Sequence, residues 1–187
     1  MDIIKVEKQS GQAKAKQLRR SGIVPCCVYG GSLTESVSIQ MSLQDADYLF
    51  RTKRVGSKVG LDLDGHVISA QIKEKKKNPL NTEIEHISFQ ALAADQRVNS
   101  VAHIFLKNTD VVSGVLEQML FEVPFSSLPS DMIDTVTIDL EGMPAGTILT
   151  VDDIPEFRNE RVELQIKGDS MVLRISDKKR PQVIRAE

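Results

Sequence analysis

The 187-residue sequence predicts a mainly β protein with a few short helices. Three observations carry that reading. Runs that alternate apolar and polar residues recur along the chain, as half-buried strands do. Turn chemistry separates these runs at short intervals: glycines, an Asp-Gly pair, an Asn-Pro pair. Helix-type composition and periodicity are confined to two short stretches, "GQAKAKQLRRSG" and "SLQDADYLFRT". Many short strands with few helices suggest a small antiparallel barrel or sheet.

Each element of the first half has its own signal. "DIIKVEKQ" alternates and reads as a strand. Gly11 and Gly22 bound a basic helix from about Gln12 to Arg20. "IVPCCVYGG" reads as a strand ending at a glycine turn, and "SVSIQMS" alternates again. Ser42 is placed to cap a second helix, with Asp45 near its positive end. Leu43, Ala46, Leu49 and Phe50 give that helix an apolar stripe. "KVGLDLDGHVISAQIKE" reads as two strands joined at Asp64-Gly65. "KKKNPLNTE" reads as a basic turn, and "IEHISFQAL" as the closing strand.

The second half shows strand-like runs at "RVNSVAHIFLK", "EQMLFEVPFSSL", "DTVTIDL", "TILTVDDI" and "SMVLRIS". The small-residue stretch "ALAAD" predicts a boundary near 91–95, hence a domain over 1–92 and a second β domain over 93–177. The charged, aperiodic residues 178–187 are expected to be disordered. Charge divides the same way: 14 Lys/Arg against 10 Asp/Glu in 1–92, and 10 against 16 in 93–187. Opposite signs suggest two units with different partners. With no Trp and 4% aromatic residues, the core is expected to rest on Ile, Val and Leu.

Composition and spacing argue against several function classes. The opening "MDIIKVEKQSGQAKAKQ" carries charges throughout and has no long apolar stretch, so a cytoplasmic, non-membrane protein is expected. His66, His86 and His103 are scattered and no Cys-x-x-Cys occurs, so no metal site is expected. "YGGS" lacks phosphate-loop spacing. Neither a cofactor nor a small-molecule substrate is implied. Cys26 and Cys27 are adjacent, so on a strand at most one faces a given site. The simpler reading makes both small apolar fillers, and no enzyme is expected.

The basic clusters point elsewhere. Lys14, Lys16, Arg19 and Arg20 lie within seven residues, and Lys16, Arg19 and Arg20 share a helical face. Lys73, Lys75, Lys76 and Lys77 gather before the Asn-Pro turn. Two such clusters can cradle a polyanion, since phosphate contacts position a protein on nucleic acid. A solvated charged face accounts for them equally well on composition alone.

"GQAKAKQLRRSGIVPCCVYGG" resembles the bacterial large-subunit ribosomal protein family twenty-five, also called the CTC general-stress family, at Leu18-Arg19, Pro25 and Tyr29-Gly30. "KEKKKNPLNTEIEHISF" is similar to that family's basic turn and closing strand at Pro79, His86 and Phe89. Gly114-Val115-Leu116, Leu128-Pro129-Ser130-Asp131 and the segment from Gly146 through Asp152 resemble its C-terminal β domain. Together the matches cover nearly the whole chain.

The resemblance implies a six-stranded antiparallel barrel-like N-terminal domain that binds 5S ribosomal RNA, with a fold similar to the anticodon-binding barrels of glutaminyl-tRNA synthetases. It implies no catalysis. RNA contacts are expected from Lys8, Lys14, Lys16, Arg19, Arg20, Tyr29, Lys75, Lys76, Lys77, His86 and Ser88. The acidic second domain is the expected contact for other large-subunit ribosomal proteins. Three positions depart from the family pattern. Ser88 stands where the family usually has Asp, Glu7 where it often has Arg, and Lys16 where Arg is common. These departures support a second reading, a stress-type adaptor of the same fold that has lost its RNA site.

Overall fold

The computed structural model describes residues 2–9, 11 and 14–177. The expected disordered tail, 178–187, lies outside these residues. The first half follows the predicted order: β1 (Ile3–Lys8), α1 (Ala15–Arg20), β2 (Ile23–Tyr29), β3 (Val37–Ser42), α2 (Leu43–Thr52), β4 (Lys58–Leu63), β5 (His66–Lys77) and β6 (Ile84–Ala91). The six strands close into a barrel in the order β1-β3-β2-β6-β5-β4. Closure leaves no strand edge unpaired, which removes the edge liability of a small open sheet.

The barrel is not wholly antiparallel as expected. β1 runs parallel to β4, and β2 runs parallel to β6. A parallel neighbour cannot be reached by a tight hairpin. Both parallel partners are instead reached through long intervening stretches that include α2. Only β4–β5 is joined by a two-residue turn, where Asp64 and Gly65 both have positive φ, as a turn matching strand twist requires.

Alternation fills the barrel. Val24, Cys26 and Val28 of β2, Ile39 and Met41 of β3, Val59 and Leu61 of β4, Ala70 and Ile72 of β5, and Ile87, Phe89 and Ala91 of β6 form one buried cluster. Ala46 and Leu49 of α2 join it, while Leu43, expected on the same stripe, is exposed. Ser42 accepts a hydrogen bond from the Asp45 backbone N–H at 3.0 Å, the expected cap. Among the described residues the basic helix runs over Ala15–Arg20 with Lys14 at its N-cap position, and the expected start near Gln12 lies outside them.

The segment after the barrel comprises β7 (Val98–Lys107), β8 (Val115–Gln118), β9 (Glu122–Ser127), β10 (Thr135–Asp139), β11 (Ile148–Thr150), β12 (Glu163–Leu164) and β13 (Met171–Ser176). They form a sheet in the order β10-β7-β9-β12 and another in the order β11-β13-β8. The run "EQMLFEVPFSSL", expected as one strand, spans β8 and β9, which belong to different sheets. The "TILTVDDI" run keeps three strand residues and then turns into a short 3-10 helix at Val151–Asp153. There the Thr150 hydroxyl and the Asp153 carboxylate cap each other's backbone.

Packing divides the described chain into two units. Residues 2–100 and Ser127–Asp134 form one, and Val101–Ser126 with 135–177 the other. The expected division at 92/93 follows chain order. Packing instead carries the first unit to Ser100 and adds a later segment. Gln71 Nε2 and Lys73 Nζ donate to the Asn99 carbonyl, and Lys58 Nζ donates to the Pro129 carbonyl.

Candidate nucleic-acid interface

Strand alternation that buries Cys26, Val28, Ile87 and Phe89 sends the intervening residues of β2 and β6 outward. Cross-strand register then builds rows on the outer wall. Lys76 of β5 faces His86 of β6. Glu74, Ser88, Cys27 and Ser38 form a row across β5, β6, β2 and β3. Gln71, Gln90 and Tyr29 form the next. Tyr29 is 37% exposed at the end of β2, whereas Ser88, expected among the RNA contacts, is buried in the wall.

Arg19 reaches this wall from α1. Leu18 is buried and anchors the short helix, and Arg19 Nη1 donates to the Glu85 carbonyl at 3.4 Å while Nε lies 3.8 Å from Glu83 Oε1. Lys76 Nζ pairs with Glu85 at 3.8 Å. Two carboxylates therefore hold two of the cations in place on the face. Lys14, Lys16 and Arg20 are exposed along α1. Lys8, at the end of β1, is also exposed.

The lysine triplet does not act as one cluster. Period-two alternation sends Lys76 to His86 and turns its neighbours toward α2. Lys75 Nζ donates to the carbonyls of Leu49, Phe50 and Lys53, at the C-terminal end of that helix. Its ammonium lies 5.0 Å from the Phe50 ring centroid, and that of Lys77 lies 4.6 Å from the same ring. Burial holds the Lys75 ammonium below the usual lysine range. Carbonyls gathered at the negative helix end, of which Leu49 also accepts the Lys53 backbone N–H at 3.0 Å, explain its position. Lys75 thus serves the fold, whereas Lys77 keeps an exposed side chain beside the Asn78–Glu83 turn.

Two residues not expected among the RNA contacts also lie on the outer surface of the barrel. Cys27 Sγ lies 3.5 Å from His86 Nε2. Glu7 accepts from Gln40 Nε2 at 3.3 Å, across the β1–β3 pair and away from β6. The reading of both cysteines as apolar filler holds for Cys26 alone, which is buried. Its outward neighbour was signalled by alternation, but the partner fifty-nine residues away was not. Glu74, Glu83 and Glu85 carried no signal, because acids between lysines look like ordinary surface.

Among the described residues no helix is long and apolar enough to cross a membrane, and no group of three His, Cys, Asp or Glu side chains is placed to hold a metal ion.

Fold and wall together define a class: a small closed β barrel with cations and a tyrosine on its outer surface, followed by a second β unit. Comparison with known proteins narrows it. Residues 4–89 match the model of the ribosomal L25p family, and residues 98–179 match that of the ribosomal protein TL5 C-terminal domain. The chain belongs to the ribosomal L25p family. A large ribosomal subunit protein bL25 of Nitrosomonas europaea is 26% identical over 88% of this chain and 86% of its own length. Proteins of the same name from Methylobacillus flagellatus and Akkermansia muciniphila are each 28% identical, over 92% and 87% of this chain and 88% and 81% of their own lengths.

Proposed function

We propose that this chain is a structural protein of the large ribosomal subunit that binds 5S rRNA through the outer wall of its N-terminal domain, residues 1–92. The observation that carries the proposal is the convergence of Arg19, Tyr29, Lys76, His86 and Ser88, distant in sequence, on one outer wall of a closed barrel. A rigid wall of this kind suits helical RNA. Its wide, shallow minor groove is recognised by shape, phosphates and 2′-hydroxyls, and its deep groove excludes side chains. Arg19 and Lys76 would meet phosphate with their orientation already set by Glu83 and Glu85. Tyr29 offers a hydroxyl and a partly exposed ring. Residues 93–177 would serve contacts with other large-subunit ribosomal proteins, in the cytoplasm and without catalysis.

The test uses the full chain, because Asn99 and Pro129 pack on the barrel unit. Gel-shift titration of 5S rRNA at graded salt should give a log–log slope of roughly −0.7 to −0.9 per phosphate contacted. With Arg19, Lys76 and the exposed helix cations engaged, a slope between about −2 and −5 is expected. Folded protein that does not retard 5S rRNA at low salt would sink the proposal.

A second reading is favoured by the acids. Glu74 and Glu85 share the wall with the cations, and Glu7 lies on a nearby strand. A stress-type adaptor with a lost RNA site would carry such a face. Co-sedimentation separates the two readings: absence from the large subunit, with folded protein, supports the adaptor.

A further inference from the structure

The adjacent cysteines have opposite environments. Cys26 points into the barrel, is 2% exposed, and its S–H donates to the Val24 carbonyl at 3.6 Å. Burial pushes its thiol up to about 12. Cys27 points outward and is only part-buried. Its sulfur lies 3.5 Å from His86 Nε2, within hydrogen-bond distance for sulfur. A neutral imidazole with its proton on Nδ1 can accept the S–H and take up that proton as the sulfur attacks, as a general base does.

The charges around this pair come from three elements. Lys76 and Glu74 of β5 stand opposite His86 and Ser88. Glu85 of β6 is paired with Lys76, and Arg19 of α1 reaches the Glu85 carbonyl. From β3, Ser38 faces Cys27. The two cations offer anchoring for a carboxylate-bearing thiol reagent.

We propose that Cys27 is a site of thiol–disulfide exchange with anionic low-molecular-weight disulfides such as glutathione disulfide, with His86 as the base. The Cys27 S–H proton passes to His86 Nε2. The thiolate attacks one sulfur of the disulfide, a new S–S bond forms, the old one breaks, and glutathione thiolate leaves. No electrons are lost from the system: Cys27 is oxidised as one half of the reagent is reduced. Cys26 cannot resolve the adduct. Consecutive Cα atoms are about 3.8 Å apart, shorter than disulfides normally span, and the two side chains face opposite layers. The adduct therefore persists until an external thiol removes it. On the reading proposed above, it also places an anionic tripeptide on the RNA face, between His86, Ser88 and Tyr29.

The experiment incubates the folded full chain with glutathione disulfide and follows intact mass. One adduct per chain is expected in the native state. It should be lost in Cys27→Ser and retained in Cys26→Ser, with a second adduct only after denaturation. His86→Gln, with folding checked by circular dichroism, should slow the reaction about tenfold or more. Modification at Cys26, or a Cys27 rate equal to that of a denatured chain and indifferent to His86→Gln, overturns the proposal. Binding to 5S rRNA is then compared before and after modification, and at least a tenfold weakening that dithiothreitol reverses is expected. Unchanged RNA affinity with a complete adduct overturns the effect on RNA. Absence of RNA binding by the unmodified protein overturns the functional reading instead, and leaves the thiol chemistry standing on its own rates.

Discussion

Arg19 illustrates how one side chain can serve both fold and surface. It is half-buried between Glu83 and the Glu85 carbonyl, yet its guanidinium retains donors for an additional acceptor. On the proposed function, Arg19→Ala should weaken 5S rRNA binding about tenfold and leave thermal stability within about 1 kcal/mol, because the ion pair it loses is partly exposed. Gel shift and thermal melting check the two halves separately. Lys75 should behave in the opposite way. Lys75→Met strips the donor from three carbonyls at the end of α2 and should cost about 1–3 kcal/mol. Its RNA affinity at low salt should stay within twofold. Urea unfolding beside gel shift would reveal an inversion of this pattern.

Cys26 gives a pH signature. Its folded thiol is raised from 9.0 to about 12, first of all by burial. Above pH 9 the unfolded chain releases this proton while the folded chain keeps it. Stability contributed below pH 9 is therefore lost as pH climbs toward 12, by about 1.4 kcal/mol per pH unit from this group. Cys26→Val should flatten the alkaline limb of a stability–pH curve relative to the native sequence.

At the scale of elements, hairpin, strand and helix signals came from short-range chemistry, and those features are present where that chemistry is strong. Asp64-Gly65, the Ser42 cap and the alternation in β3 and β6 are examples. Signals were weaker where neighbours decide. The "EQMLFEVPFSSL" run is divided between two sheets because β8 pairs with β13 and β9 with β12, both far along the chain. A close approach also imposes a residue choice. Gly31 follows β2 at φ +60, and a Cβ there would sit 2.9 Å from the Ala91 backbone. Gly31→Ala therefore combines backbone strain of about 1–2 kcal/mol with a clash against backbone that has little room to yield. A melting temperature lowered by several degrees is expected. An unchanged melting temperature would mean the turn opens freely.

At the scale of the whole molecule, the barrel brings β2 next to β6 and thereby assembles the wall from facing residues 61 positions apart, such as Cys27 and Ser88. The same closure gives the wall its rigidity, since every strand is paired on both sides. The salt dependence expected of the proposed RNA binding belongs to this scale, because it would sum every cation the wall and α1 present together. Surrounding acids lower that sum. Glu83 and Glu85 neutralise part of the face, so a shallower slope than the lysine and arginine count suggests is the expected result.

The sequence by itself determined the mainly β class, the order of the elements in the first half, the two signs of charge and the residue types on the candidate face. These follow from local periodicity, turn stereochemistry and composition, which act over a few residues. Only the tertiary structure decided which strands run parallel, that Lys75 serves a helix end, that Arg19 is held by two glutamate residues, and that Cys27 stands beside His86. Such pairings join residues tens of positions apart, and their register depends on how the barrel closes.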